Sequence, residues 1–344
     1  MHIDNEIHLD YCDVLIRPKR STLVSRADVE LKRCFKFYWG GEWNGVPVVA
    51  ANMDTTGTLE MARKFSPHKM LTCLSKHISI DDIKSQLTDN ERRNVAISIG
   101  ISQADRDTIF CSDHWIDEIP FVCIDAANGY TQKFLEFVRE VRDRCSDKII
   151  VAGNVATSEM TEALILAGAD IVKIGIGGGS ACLTRRVAGV GVPQLSAVMA
   201  CADAAHGLGG HIMADGGCTC PGDVAKAFGG GSDFAMLGGM LAGHKESGGD
   251  EILDSSGEIT HKHFYGMSSE TAMDKYSGGI AEHRASEGRT LKVQYKGSVV
   301  KTIQSILGGV RSACTYCGAN NLKALPKCCT FLRVNTQLNT VFED

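Results

Sequence analysis

One stretch of the chain concentrates the residues with chemical reach. It reads Gly175-Ile176-Gly177-Gly178-Gly179-Ser180-Ala181-Cys182-Leu183-Thr184-Arg185-Arg186. A run this rich in glycine is not a packing element. A cysteine on an exposed loop near cationic groups can hold thiolate character, and the thiolate is the nucleophilic form. Arg185 and Arg186 supply the positive charge, and Thr184 places a hydroxyl two residues from the sulfur. The alternative, that Cys182 is one more buried sulfur among 14, fits poorly beside polar and glycine neighbours. The chemistry expected is nucleophilic attack by Cys182.

Two further segments point to a phosphorylated ligand. They are Asp215-Gly216-Gly217 and Leu237-Gly238-Gly239. Glycines let backbone N–H groups approach phosphate oxygens with no Cβ in the way. Either pair alone would read as a simple turn; together they favour phosphate. Asp215 should not face phosphate, but it can accept hydrogen bonds from ribose hydroxyls.

Something must hold these segments side by side. Eight short, nearly continuous apolar runs are the candidate strands: 46–53, 69–74, 94–100, 121–127, 148–154, 171–177, 211–217 and 234–239. Continuous apolar runs suit strands covered on both faces. Their starts recur every 23 to 27 residues, except for the 40 residues from Ile171 to His211. Helical periodicity lies between them, as in Phe134, Phe137, Val138 and Val141 or Met160, Ala163, Leu164 and Ala167. Gly168 offers a helix C′ position, and Asp81-Asp82 suits a helix N-terminus.

Eight βα units argue for a closed (β/α)8 barrel, an α/β fold of TIM type. A doubly wound sheet would carry an early GxGxxG, whereas the first strand ends Ala51-Asn52-Met53-Asp54. The chain is read as one domain. Residues 1–45 form an extension that plugs the barrel bottom or covers an edge. Residues 240–297 form a polar flap insertion after the eighth strand. Residues 298–344 form a closing helix, about 298–311, and a tail. In such barrels the strands' C-terminal ends carry the site, with phosphate held by the loops after strands seven and eight. The three chemical segments all fall there.

Composition narrows the partners. Lys and Arg number 36 against 41 Asp and Glu, a net charge of −5, so nucleic acid and anionic membrane are not expected. No apolar run is long enough to span a bilayer, and the start of the chain lacks a signal-peptide pattern, so a cytoplasmic protein with reduced cysteines is expected. Cys73, Cys123, Cys145 and Cys201 read as core residues. Cys314-x-x-Cys317 and Cys328-Cys329 have no nearby His and poor zinc spacing. Cys218-x-Cys220 and His261-x-His263 read as ordinary loop residues. Lys173 alone is a poor basis for a sugar-phosphate isomerase or aldolase.

The loop GIGGGSACLTR resembles the catalytic loop of the IMP dehydrogenase/GMP reductase family, written G-x-G-x-S-x-C-x-T. So do DGGCTCPGDVAKAFGGGSDFAMLGGMLAGH, YGMSSETAMDKYSGG and RASEG, and the likeness extends over essentially the whole chain. Dehydrogenases usually insert a regulatory pair of domains after the second strand; here Leu74-Ser75-Lys76-His77 runs directly into Ile80-Asp81. Glu287 stands where reductases carry Glu and dehydrogenases usually Gln. The resemblance therefore implies the reductase reaction: GMP and NADPH give IMP, ammonia and NADP⁺. The competing expectations are an IMP dehydrogenase lacking those domains and a catalytically silent nucleotide-binding barrel.

By the same resemblance, Cys182 forms a thioimidate at purine C2, and Thr184 with Glu287 moves the proton. GMP is expected at Asp215, Gly216, Gly217, Gly238, Gly239, Gly266, Met267, Ser268, Arg284, Ala285, Ser286, Glu287 and Gly288. The nicotinamide end of NADPH is expected near Lys76, Asp125, Ala126, Ala127, Ile176, Gly177, Met267, His283 and Arg284. Ser25, Arg26, Ser312, Ala313, Cys314 and Thr315 are similar to segments that reach the adenosine end from a neighbouring subunit, which implies a homotetramer. Carbonyls of Gly177, Gly179 and Cys182, with Arg185 at the same loop, are implied to hold potassium. Three residues depart from the family loop: Gly178 replaces a common Pro, Ala181 a Val and Leu183 a Thr.

Overall fold

The computed structural model describes residues 3–110, 119–280, 282 and 284–335 of the 344-residue chain. Eight parallel strands close on themselves: β1 (Glu42–Ala50), β2 (Met70–Cys73), β3 (Val95–Ile99), β4 (Phe121–Asp125), β5 (Ile149–Val155), β6 (Ile171–Ile174), β7 (His211–Asp215) and β8 (Phe234–Leu237). Each pairs with the next, and β8 returns to β1 with Ala235 opposite Val48 and Leu237 opposite Ala50. Strands such as Phe-Val-Cys-Ile of β4 are buried on both faces. One face fills the barrel and the other meets the surrounding helices, so alternation vanishes and only continuous apolar sequence fits.

The strands end earlier than expected at the top. β6 stops at Ile174 rather than Gly177, β7 at Asp215 rather than Gly217, and β8 at Leu237 rather than Gly239. Gly177, at φ +83°, leaves the extended region, and the ladder cannot continue through such a residue. β1 begins earlier than expected, because Arg33–Lys36 pairs antiparallel with its first residues.

That antiparallel strand is the bottom plug. Phe35 stacks on Phe234 with ring centroids 4.4 Å apart, and Phe37 meets Phe121 edge-on. The Trp43 indole N–H donates to Asn94 Oδ1 at 3.2 Å. Together they seal the N-terminal end of the barrel and leave the other end for a ligand. Replacing Phe35 by alanine should remove about 3–5 kcal/mol of stability, the usual range for a buried aromatic. Chemical denaturation would measure the loss, and kcat of the surviving folded fraction should stay unchanged.

The helices follow their sequence periods. Gln132–Arg144 buries Phe134, Phe137, Val138 and Val141, and the Thr131 hydroxyl caps it by accepting the Phe134 N–H at 3.2 Å. Ser158–Leu166 runs out at Ala167, with Gly168 beyond it in the left-handed region. Ile80–Gln86 carries Asp81 and Asp82 in its first turn.

The interval between β6 and β7 holds the glycine-rich loop and helix Gln194–Gly207. The insertion after β8 is more ordered than its composition suggested. Glu251–Leu253, Ile259–Tyr265 and Thr290–Gln294 form an antiparallel sheet, with helix Glu270–Ser277 between the last two. The closing helix spans Val300–Cys317 rather than 298–311, since Ser312 to Tyr316 contain no helix breaker. Among the described residues, no helix is long and apolar enough to cross a membrane.

Candidate active site

The loop after β6 turns over the top of the barrel and brings Cys182 to its mouth. A strip of the insertion lies against it. The Leu183 N–H donates to the Glu287 carbonyl at 2.6 Å, and the Arg289 N–H donates to the Ala181 carbonyl at 2.9 Å. The Arg289 guanidinium also donates to the Ser180 carbonyl. These bonds put Cys182 opposite Gly288 across a short antiparallel bridge.

The register of that bridge fixes which side chains meet at the sulfur. Cys182 Sγ lies 3.3 Å from Thr184 Oγ1, and the Thr184 hydroxyl donates to Glu287 Oε2 at 2.6 Å. Sulfur, hydroxyl and carboxylate form one relay, though Glu287 is 103 residues beyond Thr184. The hydroxyl–carboxylate bond has the short length of a charge-assisted contact.

Arg185 and Arg186 were both expected to lend charge to Cys182. The Arg185 guanidinium also grips Asp10 of the N-terminal extension at 2.8 and 3.2 Å, and donates to the Val192 carbonyl at 2.8 Å. Asp10 also accepts the Gln194 N–H. Burial pushes the Asp10 carboxyl up, but the Arg185 and Gln194 hydrogen bonds outweigh it and hold the carboxyl below its usual range. Arg185 thus fastens the loop while its charge still faces the Cys182 sulfur. Asp10→Ala should lower kcat roughly tenfold to a hundredfold through a misplaced sulfur, with GMP KM changed less, as steady-state kinetics would measure.

A cavity of about 730 Å³ opens beside the relay. Cys182, Thr184 and Glu287 line it, together with Asp215, Gly216, Gly217, Gly238, Gly239, Gly266, Met267, Ser268, Arg284, Ala285 and Gly288. Lys76, Asp125, Ala126, Ala127, Ile176 and Gly177 line it too. The two glycine pairs close in on the catalytic loop. Gly217 N–H donates to the Gly178 carbonyl at 2.8 Å, so Gly178 is tied down. A Cβ on Gly239 would come within 2.6 Å of Ser180 Oγ. This is a backbone-lined cradle beside a hydroxyl, suited to a phosphate.

Some expected residues lie elsewhere. Ser286 faces an adjoining cleft with Glu270 and Arg289. Arg26 begins a short turn that packs on helix Val300–Cys317, which carries Ser312, Ala313, Cys314 and Thr315. That patch, with Ser25 at its edge, does not line the cavity, and the Cys314 side chain is wholly buried. His283 lies outside the described residues.

The loop carbonyls suit a monovalent cation. Among the described residues, those of Gly177 and Cys182 accept no backbone hydrogen bond, and that of Gly179 accepts the Cys182 N–H at 3.0 Å.

Two residues with roles here escaped the sequence reading. Asn154 Nδ2 donates to Asp215 Oδ2 at 2.9 Å. The Lys173 ammonium pairs with Asp125 and lies 3.9 Å from Asp215 Oδ2. The signal for Lys173 was a cation inside the apolar run Ile-Val-Lys-Ile, where an unpaired charge is prohibitively costly.

A family model described as "IMP dehydrogenase / GMP reductase domain" matches residues 8–340. GMP reductase 2 of Mus musculus is 55% identical over 346 residues, covering 100% of this chain and 99% of its own length. GMP reductase of Vibrio cholerae serotype O1 is 55% identical over 350 residues, covering 99% of each. GMP reductase of Caenorhabditis elegans is 55% identical over 344 residues, covering 99% of this chain and 96% of its own.

Proposed function

Because the chain belongs to the IMP dehydrogenase/GMP reductase family, we propose that it deaminates GMP reductively to IMP and ammonia, with NADPH as hydride donor and Cys182 as covalent nucleophile. The observation that carries this reading is the relay from Cys182 through Thr184 to Glu287 at the cavity mouth.

The residues divide the work as follows. Thr184 and Glu287 take the Cys182 proton, and the sulfur adds to electron-poor C2 of the guanine ring. Glu287, through Thr184, returns that proton to the exocyclic amine. The C2–N bond breaks, ammonia leaves, and a thioimidate joins C2 to Cys182. NADPH, when bound, supplies a hydride to C2. The C2–S bond then breaks, and the thiolate departs with its electron pair, restoring the ring as IMP. One solvent proton resets Cys182, so GMP, NADPH and H⁺ give IMP, ammonia and NADP⁺.

The cavity volume and its two lining groups support a nucleotide and a nicotinamide side by side. Gly217, Gly238, Gly239 and Ser180 cradle the phosphate, and Asp215 takes the ribose. Asp125, Ala126 and Ala127 face the nicotinamide end. Ser25, Arg26, Ser312, Ala313 and Thr315 would take the adenosine end of a cofactor bound in a second copy of a homotetramer, while the buried Cys314 side chain packs beneath them. Gly177, Gly179 and Cys182 would hold potassium through their carbonyls, and the ion's charge would help order the loop. The thirteen free cysteines among the described residues support a reducing compartment, the cytoplasm. We read the whole chain as one catalytic unit.

The deciding assay follows NADPH absorbance with GMP and quantifies IMP and ammonia. The reductase reading expects all three changes in equal amounts, and no XMP from IMP and NAD⁺. NAD⁺-dependent XMP formation would replace it with the dehydrogenase reading.

A further inference from the structure

Lys173 sits in the middle of β6 with apolar residues on either side, and it is 1% exposed. A lone ammonium there would be strongly unfavourable. It is paired twice, with Asp125 at the end of β4 and, at 3.9 Å, with Asp215 at the end of β7. Asn154 on β5 holds the same Asp215 oxygen at 2.9 Å. The other titratable groups facing this cluster are thiols. Cys123 on β4 and Cys73 on β2 lie near Lys173, and Cys218 lies near Asp215.

We propose that Lys173 is a positioning residue that serves as the shared counter-ion of both ligand subsites. It keeps Asp215 ready for the nucleotide ribose and Asp125 ready for the nicotinamide end. The inference rests on the reading above for the identity of the two ligands.

The electrostatics support this role. Burial pulls the ammonium toward neutrality, but Asp125, Cys123 and Asp215 outweigh it and hold the charge on. Burial pushes the Asp215 carboxyl above its usual range, against Lys173 and Asn154, and Asp125 adds to the push. Without the lysine, two half-buried carboxylates would face each other with no cation between them. Like charges so placed do not both ionise readily, so a proton would be retained to higher pH. The protonated carboxyl is a poorer acceptor for ligand hydroxyls.

Equilibrium binding of IMP and of NADP⁺, each alone, tests this without turnover. Wild-type protein and Lys173→Gln would be titrated from about pH 6 to about pH 8.5. The variant should bind both ligands about tenfold or more weakly at the acid end. Binding should recover as pH rises, because the proton retained between the two unneutralised carboxylates is then lost. The acid limb of both profiles therefore moves to higher pH. A merely structural defect would weaken binding equally at every pH. An unshifted profile, or an effect on one ligand only, overturns the proposal and leaves the ligand assignment standing. Wild-type protein that binds neither ligand removes the assignment, and the proposal with it. Should Lys173→Gln fail to fold, Asp125→Asn takes its place. It should weaken NADP⁺ about tenfold while IMP stays within about threefold, and loss of IMP binding overturns the proposal.

Discussion

Cys182→Ala should lower kcat for GMP-dependent NADPH oxidation on the order of 10⁴-fold or more, with GMP affinity kept within about threefold. On the proposed reading the sulfur bonds to C2, and the other thiol lining the cavity, Cys218, is a poor substitute because burial pushes it up well above its usual range. Ser180, two residues earlier than Cys182, lies beside Gly239, and Thr184 points its hydroxyl at Glu287. Without the adduct, direct hydride attack would have to expel an amide ion from the ring, a far poorer leaving group. Binding should survive because the proposed ribose and phosphate contacts, at Asp215, Gly217, Gly238 and Gly239, do not involve the sulfur. Steady-state kinetics and calorimetric GMP binding on the same preparation measure both halves. A silent nucleotide-binding barrel would show no such change in activity.

Glu287→Gln should cost about 10²- to 10⁴-fold in the forward reaction, the range for a positioned acid–base group. The amide fits the space beside Thr184 but cannot carry the Cys182 proton to the departing amine. The loss should fall on ammonia release alone. Hydride transfer needs no proton from Glu287, so the reverse half-reaction, IMP with NADP⁺, should still produce NADPH in a single turnover. Rapid-quench measurement of ammonia beside stopped-flow absorbance of NADPH separates the two steps. Equal losses in both would show that Glu287 merely holds the strip against the loop through its backbone bond to Leu183.

Much of this was legible in the chain. Runs such as Phe-Val-Cys-Ile could only be strands covered on both faces, and eight of them at a regular period left few topologies. Cys182 was legible because glycine and polar neighbours deny it a packing role. What lay hidden depends on contacts between distant segments. Asp10 reads as an ordinary acidic residue until the fold places Arg185 beside it, so this clamp on the loop could not be read from the chain. Lys173 offered a buried cation but not its partners, since Asp125 and Asp215 lie on other strands. The sheet of the insertion was obscured by its Gly- and Ser-rich turns, although His261 to Tyr265 face an antiparallel neighbour residue for residue.

The most direct measurement is the mass of the tryptic peptide carrying Cys182 after enzyme and GMP are mixed without cofactor, or with IMP and NADP⁺, and quenched in acid. The account predicts a nucleotide on that sulfur, equal to GMP less ammonia, from either direction. Unmodified Cys182 peptide throughout a reaction that still turns GMP into IMP would contradict it.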